Sequence, residues 1–107
     1  MTKTVVFLSD GSSFVDDKRS LEFAKNENIG YAKTACSDLI STAGLDTATQ
    51  QNAALGIYSP ERCEAIKNYI AACRNEYLRC KGLILAATTN EAADSVQFIP
   101  PSVPENL

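Results

Sequence analysis

From residue 59 to residue 87 the chain carries an apolar stripe that only a helix can present on one face. Stepping alternately by three and four from Cys63 reaches Ile66, Ile70, Cys73, Tyr77, Cys80, Ile84 and Ala87, and none of these positions is charged. A mean spacing of 3.5 residues is what a helix needs to lie along another helix nearly in parallel. The stripe has a counterpart upstream. Ile29, Ala32, Cys36, Leu39, Ile40 and Ala43 follow the same three-four rhythm. Two helices with matching seams, joined by a short connection, read as a hairpin of helices.

The boundaries of these helices follow from cap chemistry. Ser59 accepts from free backbone amides, Pro60 sits at the first helical position where no N–H is needed, and Glu61 faces the positive end of the dipole. The upstream helix is expected to start at Asp16 or Asp17 as its cap and to end near Ala43. Gly44 is placed for a left-handed cap, with Leu45 closing it. Asn28 and Gly30 fall within this helix, and glycine costs ~1 kcal/mol relative to alanine there, so a bend or break is expected. Small residues at Gly30, Ala32 and Ala35 offer a close approach for another backbone. Asp46 or Thr47 caps a shorter, polar helix through Leu55, stopped by Gly56.

The flanks are different. Residues 4–8 are β-branched and aromatic and read as a short strand, residues 9–13 as a turn, and Phe14-Val15 as a returning strand. So small a ribbon is marginal alone; it covers the apolar face of the helices or adds to a sheet in another molecule. At the other end Leu83-Ile84-Leu85-Ala86-Ala87 is continuously apolar, which predicts burial on more than one side. Thr88-Thr89-Asn90-Glu91 has the form of a capping box and starts a short helix. Phe98-Ile99-Pro100-Pro101-Ser102-Val103-Pro104 is extended or unstructured, and Pro101 and Pro104 have the spacing of a ligand for an aromatic groove. The expected fold is mainly α: an antiparallel two-helix hairpin with a short N-terminal β segment, a small connecting helix and a Pro-rich extended C-terminal tail. Residues 1–99 form one helical domain, with the β segment at about 1–15, and residues 100–107 form the tail.

Composition narrows the function classes. The 107 residues hold 10 Lys and Arg against 13 Asp and Glu, a net charge of −3, with no lysine-rich run. Phosphate contacts need clustered Lys and Arg, so nucleic acid is not the expected partner. No apolar run approaches the ~20 residues of a membrane span, and the N-terminal run is too short for a secretory signal. The expected setting is a reducing cytoplasm, with the four cysteines as thiols. Cys63, Cys73 and Cys80 lie ten and seven apart on one helix. Seven residues span ~10.5 Å of axis, beyond a disulfide's reach, and no C-x-x-C pair is present for zinc. Cys36 can face one of them across the hairpin, and an interchain bridge or a regulatory thiol stays open beside the reading of buried apolar cysteine. There is no histidine, which removes the commonest general base and metal ligand. Asp10, Asp16 and Asp17 are cap and turn residues first. No catalytic, cofactor or metal residue is assigned. The assigned packing or interface residues are Ile29, Leu39, Ile66, Ile70, Tyr77 and Ile84.

Phe23, Tyr31, Tyr69, Leu78, Leu83 and Leu85 lie off or beside the seams. With no Trp and few aromatics the core is thin, and thin cores are often completed by partner subunits. One further pattern bears on this. The helical run Ile70-Ala71-Ala72-Cys73-Arg74-Asn75-Glu76-Tyr77-Leu78-Arg79, then Thr88-Thr89-Asn90-Glu91-Ala92-Ala93-Asp94, then Phe98-Ile99-Pro100-Pro101, resembles the C-terminal part of small bacteriophage tail and tail-fibre assembly proteins. The resemblance covers about a third of the chain. Cys73 stands where a tyrosine is usual, and no tryptophan precedes the prolines. It implies a non-enzymatic phage structural or assembly protein, made in the cytoplasm and carried into a virion, with other protein subunits as partners. A stand-alone helical adaptor or inhibitor of one target, and a cysteine-based redox or regulatory subunit, are the competing expectations.

Overall fold

The structure is a computed structural model; it describes the backbone of residues 3–7 and 13–107, and side chains from Asp17 onward. Its elements are β1 (Lys3–Phe7), β2 (Ser13–Asp17), α1 (Leu21–Thr42), α2 (Thr47–Ala54), α3 (Pro60–Ala86) and α4 (Asn90–Asp94). The described chain is mainly helical. The two strands pair antiparallel, with Val5 opposite Val15. The expected turn between them, and what the strand side chains cover, lie outside the described residues.

The start of α1 differs from expectation. Neither Asp16 nor Asp17 caps it, because β2 continues through Asp17. The Asp17 carboxylate is instead taken by Arg19, whose Nε and Nη2 donate to it at 2.9 and 2.7 Å. Ser20 is the cap, extended at φ −67°, ψ 157°, with its hydroxyl accepting from the Phe23 amide. Gly30 does not break the helix, which is continuous through it. A Cβ at Gly30 would meet nothing within 4 Å, so no backbone approaches there; Ala32 is the small residue that is buried. At the far end the amides of Gly44 (φ 79°) and Leu45 donate to Ser41 and Ile40 carbonyls. This left-handed closure lets α1 end and buries Leu45. Asp46 then caps α2 through the Thr49 amide, and Gly56 (φ 72°) ends it.

α1 packs against α3. As residue numbers rise along α1, its contacts fall along α3: Lys25 Nζ donates to the Leu85 carbonyl at 2.7 Å, Ala32 packs with Cys80 and Ile84, and Cys36 with Tyr69 and Cys73. The core has two clusters on the same face of α3. One gathers Cys36, Leu45, Ala53, Ile66, Tyr69 and Cys73; the other gathers Ala32, Cys80, Ile84 and Ala93. Tyr77 and Phe98 pack against both and join them. Fully burying a side chain such as Ile66 or Ile84 contributes about 1.5–3 kcal/mol, so two such residues matter in so small a core. α2 covers the first cluster with Ala53, α4 covers the second with Ala93, and the segment after α4 lies back along α3 so that Phe98 and Leu107 cover the rest.

The apolar run near the end of α3 is not buried on several sides. Ile84 is 1% exposed, but Leu83 is 49% and Leu85 54% exposed. Successive helical residues point about 100° apart; Ile84 faces the second cluster, while Leu83 lines an open hollow beside α4 and Leu85 one beside the start of α1.

Candidate interaction surface

The residues assigned to packing divide cleanly by depth. Ile66 and Ile84 are buried at the centre of the two clusters. Leu39 and Ile70 are half-buried against the first cluster, Ile29 against the second, and Tyr77 against both. Tyr69, placed beside the seam by three-four stepping, is in fact buried at 2% exposure, with Ala65 on its flank. Its hydroxyl is buried beside the Cys36 and Cys73 side chains. All four cysteines are buried free thiols. Burial pushes the thiols of Cys36, Cys73 and Cys80 above their ordinary value, the opposite of the thiolate character that nucleophilic or redox cysteines need. Among the described residues no group of three or more His, Cys, Asp or Glu could hold a metal ion, and no helix is long and apolar enough to cross a membrane.

Two polar clasps fix the elements around this core; the Glu76–Arg79 pair is a local i,i+3 helix pair, while the bonds of both clasps to distant elements have no local sequence pattern. The first is centred on Arg19, which is 7% exposed. Its guanidinium bonds Asp17 of β2, Glu27 of α1 at 2.7 Å and Asp94 of α4 at 3.1 and 2.7 Å. Asn28 Nδ2 also donates to Asp94 at 2.7 Å, and Asn90 Nδ2 donates to the Arg19 carbonyl at 2.9 Å. These bonds tie the entry of α1 to α4, and the guanidinium holds the Asp17 carboxyl well below the usual carboxylate range. The second clasp is Glu76 with Arg79, a bidentate pair at 2.7 and 2.6 Å. Arg79 Nη2 also donates to the Gln97 carbonyl at 2.8 Å, and the Ile99 amide donates to Glu76 Oε2 at 2.6 Å. The Arg79 guanidinium, helped by the Ile99 amide, holds the Glu76 carboxyl down at about 2. Further along, Asn106 Nδ2 donates to the Glu61 carbonyl at 3.3 Å.

With the inner face of α3 consumed by the core and one flank by the clasp, its outer side remains. Leu78 is 56% exposed there and Leu85 54%; Leu83, 49% exposed, lies on the flank of Arg79 beside α4, and Tyr31 of α1 and Leu55 and Ile57 after α2 are more exposed still. Scattered apolar side chains on a surface are ordinary. Here several lie on one helix.

No family model, curated protein or solved structure matches the chain.

Proposed function

We propose that this chain is a non-enzymatic component of a larger protein assembly and acts by packing its helical faces against partner subunits. The observation that carries the reading is the exposed apolar pair Leu78 and Leu85, each about half exposed on the side of α3 away from its core face. We read the α1–α3 pair as an antiparallel two-helix hairpin and the Pro-rich tail as a strap laid along α3. A bacteriophage particle or tail is the setting we propose. Its support is the resemblance of the α3 helix, the Thr-rich cap and the aromatic-Pro end to small tail proteins.

A second reading, a stand-alone adaptor or inhibitor of one target, is favoured by one specific observation. Ile66, Cys73, Cys80 and Ile84 are 0–1% exposed within the single chain, so the core needs no other subunit to close it.

The test is solution mass by light scattering, on the chain alone and on the chain co-expressed with the products of the genes adjacent to its own. The assembly reading predicts a complex heavier than the 11.5 kDa chain in at least one preparation, independent of reductant, and lost when Leu78 and Leu85 are both changed to serine. A discrete one-to-one complex would favour the adaptor. A mass of 11.5 kDa in both preparations would overturn the proposal.

A further inference from the structure

The outer side of α3 has a second periodicity that the core does not use. Lys67, Arg74 and Lys81 are spaced by seven, and so are Ala71, Leu78 and Leu85. All six are exposed. Seven residues are 20° short of two full turns, so each series keeps to one line on the helix, and the two lines lie side by side. The cationic line spans ~21 Å of axis. Lys67, Arg74 and Lys81 make no ion pair among the described residues. The carboxylates of α3 nearest this face are Glu64, one turn before Lys67 and seven residues before Ala71, and Glu76. Glu76 lies two residues, or 200°, around the helix from Leu78 and is engaged by Arg79 and Ile99. The carboxylate beside Arg74 in the neighbouring hollow, Asp46, is occupied by the Thr49 amide. A protein of net charge −3 thus places three cations that make no ion pair among the described residues beside an apolar line.

We infer that this face docks an acidic amphipathic helix of a different protein, lying nearly parallel to α3, its apolar seam against Ala71, Leu78 and Leu85 and its carboxylates against Lys67, Arg74 and Lys81. This deepens the proposed function and rests on it. One apolar position in each seven residues with a cation beside it is half of a helix-pairing seam, in which flanking charges choose the partner. The small side chain of Ala71 and the open space around Gly82, where a Cβ would meet nothing within 4 Å, admit the partner backbone. Near the start of the face Gln50 of α2 and Ile70 rise beside Lys67 and Arg74 to form a shallow groove of ≈ 460 Å³. A second copy of the chain is the wrong occupant. An antiparallel α3–α3 contact would set Lys67 against Lys81 and Arg74 against Arg74, and like charges across such a seam oppose pairing. A polyanion such as RNA would meet the cations only at every second turn, with leucines between them.

The probe is a designed 21-residue helical peptide with leucine at its a and d positions and glutamate at e and g, compared with its twin carrying lysine at e and g. Binding is followed by fluorescence anisotropy at low and high salt. The acidic peptide is expected to bind at least tenfold tighter than the basic one at low salt, with the gap narrowing at high salt. The variant Lys67→Glu/Arg74→Glu/Lys81→Glu, with wild-type circular dichroism, should reverse the preference, and Leu78→Ser should weaken binding of the acidic peptide. Equal binding of the two peptides, no binding of either, or an unchanged preference in the charge-reversed variant would overturn the inference. So would binding of polyuridylate or of vesicles with 30% phosphatidylserine as tight as that of the acidic peptide. If the co-expressed complex forms normally with the charge-reversed variant, this inference fails and the assembly function stands; if no complex forms at all, the function itself fails.

Discussion

Two side chains do more to position the elements than their neighbours suggest, and both act through ions. Glu76 carries a carboxyl held at about 2 against an ordinary 4.5, chiefly by Arg79. A carboxyl lowered in the folded state contributes stability that is complete above about pH 4.5 and is lost as the pH falls towards 2. Glu76→Gln should therefore lower the melting temperature relative to wild type at pH 6–7. The two curves should converge between pH 4.5 and about 2, as thermal melts over that range would show; a constant difference would place the effect in packing. Arg19 is the other. Its guanidinium joins strand, helix and α4 through three carboxylates, so Arg19→Ala leaves them facing one another. It should lower the melting temperature more than Lys33→Ala on the exposed side of α1, and it should speed amide exchange across α4 first. Of the two clasps only the i,i+3 spacing of Glu76 and Arg79 is legible in the sequence, not their bonds to the Gln97 carbonyl and the Ile99 amide. Arg19 meets Asp94 across 75 residues, and no local spacing encodes such a contact. Its neighbour Asp17 was readable only as a cap, a role that Ser20 fills instead.

At the scale of elements the sequence was more informative, because period and caps are local. The starts of α2 and α3 follow from Asp46 and Ser59, whose side chains accept from the amide three residues on; α4 is capped in the same way by Thr89, one residue later than the Thr88 that a Thr88–Glu91 capping box would use; and Gly44 and Gly56 take the positive φ that ends α1 and α2. The inner face of α3 was legible except where a strict 3.5 rhythm departs from the 3.6 residues of a straight helix. That drift brings Tyr69 and Ala65 inside and leaves Ile70 and Tyr77 half-buried at the edge. The exposed Leu83 and Leu85 were misread because a continuous apolar run does not say how many neighbours surround it. Ile70 still packs on the first cluster, so Ile70→Asp should cost several kcal/mol and abolish folding or assembly. A variant as helical, soluble and assembly-competent as the wild type would show that the first cluster does not depend on this edge.

At the scale of the whole molecule, the thiols test the reading of buried apolar cysteine. Cys36, Cys63, Cys73 and Cys80 are all within the core, so a thiol reagent should label all four slowly until denaturant is added; one thiol reacting at once in the native protein would restore the redox reading. The division of α3 into an inside that folds the chain and an outside left for a partner is the central claim, and thermal unfolding of two aspartate variants tests it most directly. Ile66, 1% exposed, and Leu78, 56% exposed, lie on opposite sides of this division. The account predicts that Ile66→Asp abolishes the cooperative helical transition of the isolated chain while Leu78→Asp melts within a few degrees of wild type. If Leu78→Asp also unfolds the chain, or Ile66→Asp melts as wild type does, the inner and outer faces of α3 have been assigned the wrong way.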